Sequence, residues 1–394
     1  MNILFYTGDQ PTPTKGGTER TTITVASSLT KLYSWNCYSM FTTRSNDSIA
    51  GCFKDEHQLT SFNAIEEIRE FIEEKEIDVI INQNNFELTK FFRKAIGEMS
   101  KCKLIFGFHF QPGYEKIQFG LTSQITNLIW RDYRTKLKSV IKTLIYPIYK
   151  SHYSTLTSKK YKETFNLSDY IVLLSSHFIP KFNSIINIPD NDKIKSIPNG
   201  LSFSIFLSSQ EIKKKKKKVL IVSRLAEPEK RISAALKVWG KIQNDKRAQG
   251  WSLDIVGDGK DRTLYCQMIN KYKLRDVNLL GRKDPLENYK ESSIFMMTSS
   301  TEGWGLTLTE SQQFGVVPIA FDTYESLKDI ITDGKNGIII PANDIDSYSK
   351  ACLRLMEDSV YREELAKNGI QSCKEFTADK IAKKWHDFLI SINE

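Results

Sequence analysis

The sequence predicts an α/β protein built from two Rossmann-like domains with parallel sheets. Three observations carry this reading. Short β-rich runs alternate with amphipathic helical patterns along the whole chain, its 394 residues exceed what one core usually organises, and a lysine-rich connector interrupts the alternation near the middle. In the first half the strand candidates are 2–7, 78–82, 104–108 and 170–174. Between them lie amphipathic helices, one with Val25, Leu29 and Leu32 at spacings of four and three. The turn Ile197-Pro198-Asn199-Gly200 closes this half. Six consecutive lysines, Lys213 to Lys218, then precede the strand Val219-Leu220-Ile221-Val222. Such a run reads as a solvated linker or an edge guard, and it marks a boundary between domains expected at 1–205 and 216–377. The second half carries strand candidates at 253–256, 277–280, 294–297, 317–321 and 337–340, with helices around 263–273 and 306–313. Two facing domains of this kind imply a cleft at the carboxyl ends of their strands, closing on its ligand.

Composition narrows the functional classes. Hydrophobic residues make up 40% of the chain, and no segment approaches the roughly 20 uninterrupted apolar residues of a membrane-spanning helix. The first strand starts almost at Met1, with no basic start, apolar stretch or small-residue cleavage site, so a cytoplasmic location is expected. Cys37, Cys52, Cys102, Cys266, Cys352 and Cys373 form no Cys-x-x-Cys pair, which argues against a disulfide framework or structural zinc and suggests small core residues.

The net charge of +9 is concentrated. Residues 131–162 hold nine Lys and Arg against one acid, Asp132, a local +8. Tyr133, Tyr146, Tyr149 and Tyr153 are interleaved with them, between Trp130 and Tyr161. Leu137, Val140, Ile141, Leu144, Ile145 and Ile148 form a helical apolar stripe, while Arg131, Arg134, Lys138 and Lys142 fall on another face. Two readings stay open: a helix lying on an anionic membrane, at the inner face of the plasma membrane, or a helix packed on its own domain with a solvated basic side. No recognised nucleic-acid-binding motif accompanies the charge, so no nucleic-acid partner is expected.

The chemistry concentrates in Ser299-Ser300-Thr301-Glu302-Gly303-Trp304-Gly305-Leu306-Thr307-Leu308-Thr309-Glu310, which runs from a strand through a Gly-rich turn into a helix. Glycines there allow close backbone approach, and amides at the helix start cradle an anion such as phosphate. Glu302 precedes the turn and Glu310 lies about one helical turn further in, so the two carboxylates reach different ends of an elongated ligand; a carboxylate accepts well from vicinal sugar hydroxyls.

Two glutamates with seven residues between them around Gly303-Trp304-Gly305-Leu306, followed by Gly315 and Pro318, resemble the signature of the family 4 retaining glycosyltransferases of the GT-B fold, the glycosyl transferases group 1. The resemblance extends over nearly the whole chain. Arg224 and Lys230 look like that family's basic pair for the donor diphosphate, Gly257 and its neighbours like its next Gly-rich turn, and Arg282 like the segment beside the nucleotide base. Asp333-Gly334-Lys335-Asn336-Gly337 matches a further family turn. Gly16 and Gly17 resemble its acceptor-side loop, and Asn199 lies in the counterpart of its exit from the first domain. His109 follows the strand 104–108 at the position where the family carries a histidine beside the donor sugar, although Phe110 departs from the Asp or His often found next to it. A C-terminal helix, 378–394, is expected to cross back to the first domain. The basic pair also has an independent rationale. A departing nucleoside diphosphate gathers negative charge as the glycosidic bond breaks, and fixed cations stabilise it selectively in the transition state.

The implied function is transfer, with retention, of a hexose-type sugar from a nucleotide diphosphate donor to a glycan or lipid-linked acceptor in cell-envelope polysaccharide or lipopolysaccharide synthesis. A UDP-sugar is the family's commoner donor, and guanosine and adenosine stay open. His109, Arg224, Lys230 and Glu302 are the catalytic candidates. Gly16, Gly17, Asn199, Gly257, Arg282, Gly303, Trp304, Gly305, Leu306 and Glu310 are the substrate-binding ones. The residues after the 317–321 strand, Asp322-Thr323-Tyr324-Glu325, depart from the small, Gly-rich pattern of many relatives. No metal or cofactor is expected: Asp190-Asn191-Asp192 and Asp344-Ile345-Asp346 fit a metal-holding spacing, but each follows a proline in a turn-like stretch. The alternatives are another GT-B activity, such as a nucleotide-sugar epimerase or a phosphorylase, and a catalytically dead membrane-docked scaffold.

Overall fold

A computed structural model describes residues 1–46, 50–61, 64–83, 85–97, 101–115, 133–144 and 146–393, the side chains of 133–135 and 147–150 excepted. Two compact units emerge. One comprises Met1–Pro112, Thr155–Ser204 and Phe376–Glu394; the other comprises Ile205–Glu375 together with 113–154. The boundary thus falls at 204/205, ahead of the lysine run, and the described part of 113–154 groups with the second unit rather than within a first domain of 1–205.

The first unit is a seven-stranded parallel sheet of β1 (Asn2–Asp9), β2 (Asn36–Thr43), β3 (Asp55–Gln58), β4 (Val79–Gln83), β5 (Lys103–Phe108), β6 (Tyr170–Leu173) and β7 (Ile194–Ser196), in the order β3-β2-β1-β4-β5-β6-β7. Central strands of parallel sheets are covered on both faces, which is why β1 reads as one continuous apolar run. Ile3 and Phe5 join Val25, Leu29, Ile81 and Trp385 on one face, while Leu4 and Tyr6 join Met40, Ile80, Leu88 and Phe92 on the other. β2, β3 and β7 are absent from the sequence-based reading. β2 mixes apolar with polar residues, β3 is a short polar edge strand and β7 has only three residues, so none shows a sustained apolar run. In the helix Gly17–Tyr33, Val25 and Leu29 are buried but Leu32 is 42% exposed, so the stripe ends one turn earlier than its spacing suggests. The helix Ala378–Ser391 packs on Gly17–Tyr33, with the His386 ring stacked 3.9 Å from Tyr33.

The second unit holds β8 (Lys218–Val222), β9 (Ser252–Val256), β10 (Val277–Gly281), β11 (Ile294–Met297), β12 (Val317–Phe321) and β13 (Ile338–Ile340), all parallel, in the order β10-β9-β8-β11-β12-β13. In each unit the strand order reverses once, between β1 and β4 and between β8 and β11. Ligands of such sheets bind beyond the carboxyl ends of strands at that reversal.

The lysine run is solvated at Lys213, Lys214, Lys216 and Lys217, but Lys215 and Lys218 are half-buried. Lys215 is half-buried in the second unit, and its ammonium donates to the carbonyls of Tyr289 (2.9 Å), Lys290 (3.2 Å) and Ser292 (2.7 Å), at the end of the helix Leu286–Glu291. Lys216 and Lys218 pair with Glu291 at 2.6 and 2.9 Å, and Lys218 also with Asp254 at 3.3 Å. A helix end leaves carbonyls unbonded, and the Lys215 ammonium answers that need, while Lys216 and Lys218 add positive charge at the same end of the helix dipole. Among the cysteines, Cys37, Cys102, Cys352 and Cys373 are buried as expected, but Cys266 is exposed. Among the described residues no helix is long and apolar enough to cross a membrane.

Burial pushes the Lys215 ammonium down to about 7. The unfolded chain therefore holds a proton that the folded one releases between about pH 7 and the ordinary lysine range, and stability rises with pH over that window. Lys215→Ala is expected to flatten this rise in urea unfolding and, by leaving buried carbonyls without a donor, to cost about 1–3 kcal/mol.

Candidate functional site

The loop after β8 and the turn after β11 lie at the reversal of the second sheet, and backbone bonds set both. The Ser223 amide donates to the Val256 carbonyl at 3.0 Å and the Leu225 amide to that of Asp258 at 2.9 Å, so the loop runs along the turn that follows β9. A side chain on either glycine of that turn would collide with it. A Cβ on Gly257, whose φ is 141°, would fall 1.9 Å from the Ser223 carbonyl oxygen, and one on Gly259 would fall 2.4 Å from that of Leu225. Gly257 therefore has a packing role whether or not a ligand approaches it. The buried carboxylate of Glu227 anchors the same loop, accepting from the hydroxyls of Tyr265 and Ser233, each at 2.7 Å, while its amide donates to Asp261 at 2.6 Å.

That anchoring delivers Lys230. Its ammonium lies 2.6 Å from Glu302 Oε1, which also accepts from the Ser299 hydroxyl at 2.6 Å. Further bonds tie the two loops together: the Ser300 amide donates to the Glu229 carbonyl at 2.8 Å and the Thr298 hydroxyl to that of Arg231 at 2.9 Å. The pair is only partly covered, with 21% and 11% of the two side chains exposed, so Lys230 has ammonium hydrogens beyond the one given to Glu302. Arg224, at the end of β8, is exposed.

Beyond Glu302, the residues Gly303, Trp304 and Gly305 are buried, and Gly305 takes φ 96° as the residue that opens the helix Leu306–Gln313. Leu306 is the first residue of that helix and is half-buried. Glu310 lies inside the unit, fully buried, and accepts from the Tyr289 hydroxyl at 2.9 Å. Since Lys215 holds the Tyr289 carbonyl, the lysine run and Glu310 share one network. Tyr324 is buried, donates to Met297 Sδ at 2.9 Å and lies 3.5 Å from where a Gly305 Cβ would be. Burial, aided by the charge of Glu302, holds its phenol well above the usual range. Arg282 is exposed after β10, whose Gly281 carbonyl accepts from the Gly257 amide at 2.8 Å.

In the first unit, His109 and Asn199 line one small cavity with Thr21, Gln83 and the apolar Phe5 and Trp385. His109 Nε2 bonds Gln83 Oε1. Burial pushes its imidazolium down to about 4, so the ring is neutral near pH 7. Gly16 and Gly17 are exposed at the start of the helix Gly17–Tyr33, where the Glu19 carboxylate folds back to within 2.9 Å of a Gly16 Cβ position. Burial raises the Glu19 carboxyl above its usual range, against amide bonds that lower it.

Sequence reasoning placed Ser299 in the Gly-rich stretch and Tyr324 after the 317–321 strand but gave neither a partner, and it missed Tyr289 beside Glu310 and Gln83 beside His109. A polar residue closing the apolar strand β4 was the available signal for Gln83, and the three-residue spacing of Ser299 and Glu302 was one for that pair; Tyr289 and Tyr324 have partners 21 and 27 residues away. Asp344 caps the helix Ile345–Glu357 through the Ser347 amide at 2.9 Å, and Asp346 pairs with Lys241. Asp190 accepts from the next amide, at Asn191, at 3.1 Å.

Gly257→Ala is expected to destabilise the second unit by about 2–4 kcal/mol in chemical denaturation, because the close backbone approach and the positive φ both oppose a side chain. Gly8→Ala, with open space around its Cβ position, serves as the neutral control.

Residues 204–372 match the family described as Glycosyl transferases group 1. The exopolysaccharide phosphotransferase SCO2592 of Streptomyces coelicolor is 29% identical over 178 residues, 44% of this chain and 19% of its own length. The amylovoran biosynthesis glycosyltransferase AmsD of Erwinia amylovora is 26% identical over 230 residues, 57% of this chain and 63% of its own. The chain thus spans less than two thirds of either relative. Among solved structures, Anabaena HepE in complex with UDP-glucose superposes with a TM-score of 0.75 at 15% identity, over 99% of this chain and 100% of that one. The two singly reversed parallel sheets and these matches agree: the chain has a GT-B fold, and its residues 204–372 match the glycosyl transferases group 1 family.

Proposed function

We propose that the protein is a glycosyltransferase that moves a hexose-type sugar, with retention and without a metal, from a nucleotide diphosphate donor to a glycan or lipid-linked acceptor in cell-envelope polysaccharide or lipopolysaccharide synthesis. The observation that carries this reading is the partly exposed Lys230–Glu302 pair at the sheet reversal, beside the Gly-rich start of a helix. Lys230, with Arg224, neutralises the charge that builds on the departing diphosphate, and the amides from Gly305 onward add dipoles of the same sign. Glu302 steadies Lys230 and takes a hydroxyl of the transferred sugar; Glu310 acts on the ribose side, held by Tyr289. UDP is the donor nucleotide favoured, in line with the UDP-glucose bound by HepE and with the group's commoner base. The biosynthetic role named for AmsD supports a glycan product.

We also propose that the protein works on the cytoplasmic face of an anionic membrane, docked through the helix Tyr133–Leu144. Its apolar residues point outward: Leu137 is 52% exposed, Val140 42%, Ile141 52% and Leu144 77%, whereas Ser139 is buried. Lys138 is exposed among them, which supplies the charge an anionic surface attracts. Of the wider 131–162 stretch, Arg131, Asp132 and Ile145 lie outside the described residues, as do Trp130 before it and the side chains of Arg134, Ile148, Tyr149 and Lys150. Tyr161 is core in the first unit, 5.2 Å from Phe108, so the anchor is confined to the earlier helix.

With UDP-sugars and excess chelator, product formation with an unchanged anomeric configuration by NMR is expected; a requirement for manganese or an inverted product refutes the respective claim. Lys230→Ala is expected to lower kcat/KM by about 30–1000-fold, equivalent to roughly 2–4 kcal/mol of barrier. Reversal of Arg134, Lys138 and Lys142 together to Glu is expected to weaken binding to anionic vesicles by about a hundredfold at low salt, with donor binding intact. Equal sedimentation of wild type and variant refutes docking.

A further inference from the structure

His109 is held by a chain of bonds whose direction can be read from one end to the other. The Thr22 hydroxyl has a single hydrogen, which it donates to the Thr18 carbonyl at 2.8 Å within the helix Gly17–Tyr33. Its oxygen is therefore left to accept, and the Gln83 amide nitrogen donates to it at 3.1 Å. That fixes which way the Gln83 amide faces: the nitrogen toward Thr22, the carbonyl oxygen toward His109 Nε2. A carbonyl oxygen only accepts, so Nε2 carries the hydrogen and Nδ1 keeps the lone pair.

The fold makes room for this arrangement. A Cβ on Gly107 would fall 2.6 Å from Gln83 Oε1 and 3.6 Å from His109 Nε2, so only glycine lets the amide reach the ring over β5. The neutrality of the ring near pH 7 makes the choice between its two tautomers matter.

We propose that Thr22 and Gln83 are positioning residues that lock His109 as its Nε2–H tautomer, so that the ring presents Nδ1 as a hydrogen-bond acceptor to a hydroxyl of a carbohydrate ligand. The ligand's class rests on the glycosyltransferase reading; the lock itself does not. An unheld neutral histidine exchanges between its tautomers, so the same ring nitrogen can donate in one and accept in the other. The locked ring only accepts at Nδ1, and it favours a ligand that brings a hydroxyl hydrogen over one that brings an acceptor alone, such as an ether, or no polar group, such as a deoxy position.

The test is long-range nitrogen-15 NMR of the histidine rings in the full chain, with His109→Asn identifying the His109 signals. Wild type is expected to show a protonated Nε2 and an unprotonated Nδ1 as a single species at pH 7. Thr22→Val removes the acceptor that orients the amide, and a mixture of both tautomers is expected; Thr22→Ser restores the single form. Gln83→Glu, which places a carboxylate on the ring, is expected to raise the His109 pKa by more than about one unit. An Nδ1–H ring in wild type, or an undisturbed Nε2–H ring in Thr22→Val, overturns the proposal. Failure of the glycosyltransferase reading looks different, since the ring spectra are then as expected while no nucleotide sugar is turned over.

Discussion

The contact between Lys230 and Glu302 joins the loop after β8 to the turn after β11, and the second unit is organised around keeping those two loops side by side. An ion pair taken from water is stabilising only when its remaining bonding capacity is met. Here Ser299 supplies a second donor to the carboxylate, and Glu227, Tyr265 and Asp261 hold the loop that carries the lysine. The pair remains at the surface of its unit, which suits a cation that has to share its hydrogens with an anionic ligand. Without such scaffolding the lysine would swing freely, and a swinging charge gives little selective stabilisation to a transition state.

The same logic extends backward into the core. Glu310 is a charged residue in a buried helix and is tolerated because Tyr289 donates to it; Tyr289 is in turn fixed by Lys215 through its carbonyl. A lysine that looks like part of a solvated run thus belongs to the support of a candidate ligand-binding carboxylate. Its neighbours Lys216 and Lys218 do comparable service at Glu291, while Lys217 packs its stem near Gly250. The aliphatic length of lysine makes this dual use workable, since the stem fills apolar space and the head reaches a polar partner.

The two units handle the sheet-reversal position differently. In the second, cations and glycines gather there; in the first, a neutral histidine, an amide and a threonine do. Fixed charge suits an anionic group such as a diphosphate, and neutral hydrogen bonding suits hydroxyls. The helix Tyr133–Leu144, grouped with the second unit, shows a different pattern. Its apolar residues face outward and a serine faces inward, the reverse of what a helix on its own core would show.

Much of the architecture was legible because buried parallel strands need uninterrupted apolar runs, and β1, β4, β5, β8, β11 and β12 have them. The candidate residues from Arg224 to Glu310 were legible chiefly through the resemblance to the glycosyl transferases group 1, whose motifs set glycines and charged groups just after such runs. Polar or very short strands such as β3 and β7 left no such trace, and their identity came from pairing with neighbours. Partnerships were the part decided by tertiary structure alone. Lys230 and Glu302 are 72 residues apart, Lys215 and the Tyr289 carbonyl 74, and Thr22 and Gln83 61. Periodicity reports which face of an element is buried, but hydrogen-bond direction and the burial of a single lysine depend on which distant group the fold sets opposite it.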